Sequence, residues 1–293
     1  MTSPSNSPKS PDHLDISSVR DLVRLALAED VGAGDRTTVA TVPAGARARA
    51  TIRAGQTCVV AGLPVAEETF RQVDPGLTFT ARVADGATCA AGQVVAEVAG
   101  SARAILTAER TALNFLQHLS GIATLTRAFV DAAGPDLAVL DTRKTIPGTR
   151  TLAKYAVRCG GGTNHRFGLH DGVLVKDNHI QLAGGVAEAV RRARAAEPEA
   201  AIEVEAESLA DVDQAIEAGA DVIMLDNLDV DVMRRAVATI AHRARVEISG
   251  GVTLDRMAAL AAVGADAVSI GALTHSAPAA DFGLDLNVLN VGG

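Results

Sequence analysis

The sequence has no tryptophan, one tyrosine and six phenylalanines, so aromatics make up only 2% of its 293 residues. That scarcity argues against a protein that stacks single-stranded bases on aromatic platforms. It leaves Ala, Val, Leu and Ile to build the core. Cysteine is as sparse: Cys58, Cys89 and Cys159 lie far apart, are odd in number and form no CxxC pair. Their plain reading is reduced thiols in a cytoplasmic protein. No apolar run approaches the roughly 18 residues needed to span a bilayer, so no membrane partner is expected. Positive charge is short overall, and a net charge of -8 argues against non-specific nucleic-acid binding. The opening "MTSPSNSPKSPD" (1–12) has no hydrophobic segment and reads as a disordered tail, not a signal peptide.

What is present is apolar, at 48%, and long enough for one large domain or two ordinary ones. "DISSVRDLVRLALAEDVG" reads as an amphipathic helix capped by Ser17 or Ser18. Residues 48–100 are β-prone, with turns at Asp85-Gly86 and Ala91-Gly92. Their turn pattern loosely resembles lipoyl-type carrier domains, but no Lys stands at a hairpin tip. Residues 101–133 read as helix. Arg110 follows Leu106 by four and precedes Leu113 by three, which puts it on their face. On position alone, a snorkelling arginine is the simpler reading. Beyond residue 135 short apolar strands alternate with amphipathic helices. Six strands are expected, at 137–141, 173–177, 202–206, 221–226, 245–249 and 266–271, with helices at 181–196, 209–218, 230–242 and 254–263. "EAGADVIML" (217–225) is echoed by "AVGADAVSI" (262–270). Alternation of this kind implies parallel strands, in a barrel or a doubly wound sheet. No GxGxxG follows the first strand, which disfavours a dinucleotide-binding sheet.

Chemistry collects at the carboxyl ends of these strands, where an α/β barrel builds its active site. The ends carry Asp141 with Arg143 and Lys144, Lys176, Glu205, Asp226, Ser249-Gly250-Gly251 and Gly271. From Asp141 to Asp177 seven Lys or Arg face three acids, a local charge of +4 in a chain whose remainder is -12. The cations flank Gly-rich turns, not a continuous helical face, which suits a pocket for a multiply anionic small molecule. Glu205 and Asp226 end neighbouring strands about 5 Å apart, a spacing that calls for a cation or hydroxyl donors between them. Glu203 and Glu247 share faces with Glu205 and Ser249. If buried they need cationic partners, for which Lys144 and Lys176 are candidates; an outward-facing Glu203 is an equal alternative. The glycines of "SGG" and "SIGA" allow backbone N–H groups to reach a phosphate, helped by the helix N-termini that follow. His165 could donate to a carboxylate, His170 and His179 read as structural, and His275 has no assigned role.

The stretches "DTRKTIPGTR", "GGGTNHRFGLHDGVLVKDNHI", "IEVEAES", "DVIMLDN", "EISGGVTLD", "SIGALTHSAPAADFGLDL", "ALAEDVGAGDRTT" and "LTAERTALNFLQHLSGIAT" together resemble the quinolinate phosphoribosyltransferase family over almost the whole chain. The resemblance implies an α/β protein: an incomplete, about six-stranded parallel α/β barrel (125–275) with an N-terminal α/β sandwich domain (13–124). Residues 276–293 would pack back toward that domain. It implies a homodimer with a shared active site, Mg²⁺ as cofactor, and quinolinate and phosphoribosyl pyrophosphate as substrates. By the resemblance, Arg143, His165 and Arg166 bind the quinolinate carboxylates, and Thr145 belongs to the substrate-binding set. Lys144 and Lys176 contact quinolinate or pyrophosphate, and Glu205 and Asp226 hold ribose hydroxyls and the metal. Ser249, Gly250, Gly251 and Gly271 cradle the 5′-phosphate, and Lys144, Lys176, Glu205 and Asp226 form the catalytic set. Arg110 matches an arginine sent across the dimer interface, which replaces the snorkelling reading. Three rivals stand beside this function: a Schiff-base aldolase using Lys176, a phosphoribosyltransferase of the same fold that does not decarboxylate, and a non-catalytic binding protein, which would need no paired acids at the strand ends.

Overall fold

The structure is a computed structural model that describes residues 14–289; the Ser/Pro-rich stretch 1–12 lies outside the described residues. The chain divides into two compact units. One comprises the residues up to Arg127, Thr145–Gly161 and the stretch from Leu273; the other comprises Ala128–Lys144 and Gly162–Ala272. In chain order the elements are α1 (Arg20–Val31), α2 (Arg36–Thr41), β1 (Arg47–Ala54), β2 (Cys58–Val59), α3 (Leu63–Val73), β3 (Thr78–Ala81), β4 (Thr88–Cys89), β5 (Val94–Ser101) and α4 (Ala102–Ala133). They continue as β6 (Ala138–Leu140), α5 (Arg150–Cys159), β7 (Val173–Val175), α6 (Asp177–Ala183), α7 (Val186–Ala196), β8 (Ile202–Ala206), α8 (Leu209–Glu217) and β9 (Val222–Asp226). The last are α9 (Val230–Ile240), β10 (Arg245–Ser249), α10 (Met257–Ala261), β11 (Ala267–Ser269), α11 (Ala272–His275) and β12 (Phe282–Leu289).

In the first unit, "RARATIRA" of β1 alternates strictly, turning Ala48, Ala50, Ile52 and Ala54 inward and arginines outward. It is the centre of an antiparallel sheet ordered β12-β1-β5-β3. β12 pairs along the full length of β1, from Arg47↔Leu289 to Ala54↔Phe282. The helix α4 buries Ile105, Ala108, Ala112, Leu113 and Leu116 in the same core as that sheet. Arg110 is exposed and Leu106 half-buried, whereas Leu113 is buried, so of these three only Leu113 belongs to the buried stripe. The N-cap also differs from expectation. Asp15 caps a 3₁₀ turn at Ile16–Ser18, accepting from both Ser17 N–H and Ser17 Oγ, and α1 starts only at Arg20. A carboxylate accepts more strongly than a hydroxyl, so Ser17 becomes a donor and not a cap.

The second unit holds a six-stranded, all-parallel sheet ordered β6-β11-β10-β9-β8-β7. The strands match the expected positions within two residues at each end. From β7 to β11 the order follows the chain without reversal, and β6 then adds beside β11. A doubly wound sheet would reverse at a switch point; this order is that of a barrel. It stays open, since no ladder joins β6 to β7 among the described residues. The single helix expected over 181–196 is two, α6 and α7, broken at Gly184-Gly185, where both residues take positive φ.

Gly121 on α4 meets a backbone neighbour: a Cβ there would lie 2.1 Å from the Pro278 carbonyl oxygen. Alanine is the better helix former by roughly 1 kcal/mol, but overpacking against backbone costs about 1–3 kcal/mol. The clash should win, so Gly121→Ala is expected to lower the melting temperature measured by circular dichroism. An unchanged or raised value would contradict the packing described.

Candidate active site

The carboxyl ends of the parallel strands surround a cavity of about 280 Å³, near the lower end of the usual range for small-molecule sites. Arg143 and Lys144 enter it from beyond β6, and His165 and Arg166 from the segment before β7. Lys176 follows β7, and Met224, Ser249 and Ser269 come from β9, β10 and β11. Six of the expected site residues therefore meet around one space: Arg143, Lys144, His165, Arg166, Lys176 and Ser249.

Register explains which side chains point inward. Parallel pairing sets Glu203 level with Leu174, which lines the cavity. Glu205 and Glu247 are level with Met224, and Asp226 with Ser249. With a period of two, all of these share the inner face. The two acids Glu205 and Asp226 are thus not side by side as their strand-end positions suggested. Asp226 stands two residues nearer the mouth, because β8 and β9 are staggered in the ladder.

The buried acids also find a partner other than the lysines proposed for them. Glu203 and Glu247 are both buried, and His165 Nε2 lies 3.1 Å from Glu203 Oε2 and 3.7 Å from Glu247 Oε2. His165 Nδ1 accepts from the Arg166 backbone N–H at 2.7 Å. Both ring nitrogens are thereby engaged within the protein. Lys176 Nζ pairs with Glu205 instead, whose Oε2 accepts from the Asp177 backbone N–H at 3.3 Å. Asp226 Oδ2 accepts from Asn227 Nδ2 at 2.8 Å. Burial, then the charge of Glu203, pushes the Glu247 carboxyl up to about 7, with His165 opposing. Burial and then the charge of nearby Arg143 lower the Arg166 guanidinium, and both arginines line the cavity.

Not all of the local positive charge belongs here. Arg150, Lys154 and Arg158 are spaced by four on α5 and fall in the first unit, so three of the seven cations of 141–177 form a helical row after all. Lys154 is buried, and Arg158 lies over the Tyr155 ring, 5.8 Å from its centroid. Thr145 and Arg110 also fall in the first unit; Thr145 Oγ1 accepts from Arg150 Nε at 3.1 Å. Gly250 takes φ 89°, and a Cβ there would meet Asn227 Oδ1 at 2.2 Å, so this turn admits only glycine. The helices after the last two strands are short, five residues in α10 and four in α11, which leaves any anion at these turns to the glycine backbone itself. His179 is structural: its Nδ1 accepts from the Lys176 backbone N–H at 3.0 Å. Sequence reading missed Asp141 as an organiser. It is fully buried and accepts from Asn164 Nδ2 at 2.6 Å and His165 N–H at 2.9 Å; an acid closing an apolar strand was its only signal.

A parallel β/α sheet whose mouth gathers four cations above buried carboxylates marks an enzyme of small anionic substrates. The chain belongs to the quinolinate phosphoribosyltransferase family: models of that family's N-terminal and C-terminal domains match residues 35–120 and 122–285. It is 46% identical over 278 residues to a nicotinate-nucleotide pyrophosphorylase (carboxylating) of Mycobacterium leprae, covering 91% of this chain and 96% of that one. It is 42% identical to a probable enzyme of the same name from Bacillus subtilis, covering 89% and 91%. The crystal structure of NadC from Streptococcus pyogenes superposes with a TM-score of 0.91 at 43% identity, covering 95% of this chain and 99% of that chain.

An acid that ionises less readily in the folded chain gives up stability as pH rises. Below about 4.5 Glu247 is protonated folded or unfolded; between there and about 7 only the unfolded chain ionises; above 7 the whole cost remains. Glu247→Gln, which cannot ionise, should therefore raise the melting temperature by on the order of 5 °C above pH 8 and leave it nearly unchanged near pH 4.5. An equal shift at both pH values would refute the raised carboxyl.

Proposed function

We propose that this protein transfers the phosphoribosyl group of phosphoribosyl pyrophosphate to quinolinate and removes the 2-carboxylate as CO₂. The products are nicotinate mononucleotide and pyrophosphate, in de novo NAD biosynthesis. The observation that carries the reading is the convergence of Arg143, Lys144, Arg166 and Lys176 on one cavity within this family's frame. Arg143 and Arg166 clamp the two carboxylates, with His165 as the wall beside them and Thr145 in support. Lys144 and Lys176 meet the pyrophosphate, Glu205 and Asp226 the ribose hydroxyls, and the backbone at Ser249, Gly250, Gly251 and Gly271 the 5′-phosphate.

The clamp holds the pyridine nitrogen in line with the ribose carbon that pyrophosphate leaves. The C–O bond breaks, the N–C bond forms, and the lysines offset the charge on the leaving group. The ring nitrogen is then cationic and accepts the electron pair left when the adjacent carboxylate departs; a proton takes its place. Glu205 and Asp226 offer the hard oxygen donors that suit Mg²⁺. Both Glu205 oxygens are already engaged, which fits an ion held chiefly by substrate phosphates. Mg²⁺ would neutralise charge on the departing pyrophosphate. We place the enzyme in the cytoplasm; among the described residues no helix is long and apolar enough to cross a membrane. We also read it as a homodimer in which Arg110, exposed on α4, serves the partner's site. A Schiff-base aldolase is disfavoured, because its amine has to be uncharged and desolvated. The Lys176 side chain is 43% exposed and its amine is ion-paired with Glu205.

Purified protein given quinolinate, phosphoribosyl pyrophosphate and Mg²⁺ should release labelled CO₂ from the 2-carboxylate, and chelation should stop it. Turnover of nicotinate without CO₂ would assign the non-decarboxylating reaction instead. Arg110→Ala and Lys176→Ala should each be inactive alone and regain activity when co-expressed, since mixed dimers hold one intact site. Failure to complement would count against the shared site.

A further inference from the structure

The seam between β6 and β7 is where the sheet lacks a ladder, and the segment carrying His165 and Arg166 runs along it. Thr163 makes a parallel bridge to Leu140, donating its N–H to the Val139 carbonyl at 2.8 Å and accepting from the Asp141 N–H at 3.2 Å. At the far side, Arg166 Nη1 donates to the Gly172 carbonyl at 2.9 Å, directly before β7. Residues 163–172 thus cross the gap from one edge strand to the other.

We propose that Asp141 is a positioning residue for the diacid end of the site, a buried carboxylate that pins this crossing segment and so sets the direction of Arg166. Its two oxygens accept separately, Oδ2 from the Asn164 side chain and Oδ1 from the His165 N–H. It does not line the cavity, so its action on a substrate is indirect. A carboxylate is required here because both neighbours donate. An asparagine offers one acceptor and sets its own N–H₂ against the second donor, leaving a buried group unsatisfied. The residues proposed for the 5′-phosphate, Ser249, Gly250, Gly251 and Gly271, belong to the ends of β10 and β11 and not to this segment. Loosening it should therefore weaken the diacid and spare the sugar phosphate. The inference rests on the proposed assignment of Arg143 and Arg166 to quinolinate.

The test compares Asp141→Asn, Asn164→Ala and Val139→Ala by steady-state kinetics and by hydrogen exchange of the peptide covering 162–172. Asn164→Ala removes one arm of the anchor while keeping the buried carboxylate, should Asp141→Asn fold poorly. Val139→Ala weakens the same strand without touching the anchor. The two anchor variants should raise the KM for quinolinate roughly tenfold, keep that for phosphoribosyl pyrophosphate within about twofold, and speed exchange only in 162–172. Val139→Ala should do none of these. Equal shifts in both KM values, a quinolinate effect in Val139→Ala, or unchanged exchange in the crossing segment would overturn the role. If the wild-type protein fails to turn over quinolinate, the proposed function falls, and the exchange data still decide the anchor.

Discussion

Four cationic side chains around one small cavity repel one another, and the mouth of the parallel sheet is organised by that constraint. Two unit charges 5 Å apart cost about 3 kcal/mol at an effective dielectric constant of 20. Burial first, and then the charge of Arg143, lowers the Arg166 guanidinium. The cations are kept together by negative charge placed under and beside them: Glu205 against Lys176, and Glu203 and Glu247 around His165. Anionic substrates would complete the neutralisation, so an arrangement that is costly empty is suited to being filled.

The sheet supplies the geometry for this. Parallel strands put their carboxyl ends at one rim, and the alternation of side chains sends Glu203, Glu205, Met224, Glu247 and Ser249 to the same inner face. The staggered pairing separates Glu205 from Asp226 by depth. One acid meets a lysine inside, and the other stands closer to the mouth. The open seam has a use as well: it is the path by which His165 and Arg166 reach the cavity without belonging to any strand.

Most of the architecture was legible in the residues. Six apolar runs separated by amphipathic stretches predicted six strands, because burial on both faces leaves a continuous apolar signature. The cations at 143, 144, 166 and 176 were legible as a group at the strand ends, where one cavity gathers all four, and the glycine pair at 250–251 was legible as the turn that follows β10. Other features were not. Arg150, Lys154 and Arg158 read as part of one basic segment, but helix α5 carries them into the first unit. Lys144 and Lys176 are the candidate partners that spacing offers for Glu203 and Glu247, but His165 stands beside both acids, because its loop crosses a seam that sequence spacing does not reveal. Ser17 and Ser18 looked like caps, yet Asp15 is the stronger acceptor.

The sequence by itself determined the six strands of the parallel sheet, the family, and the side chains that bring charge to the strand ends. These are set by hydrophobic period and residue chemistry, which are local. The tertiary structure alone decided which acid meets which cation, how deep each carboxylate lies, and that Asp141 turns away from the cavity to hold a neighbouring segment. Those choices depend on strand register and on where the sheet fails to close, and both arise only when distant parts of the chain pack together.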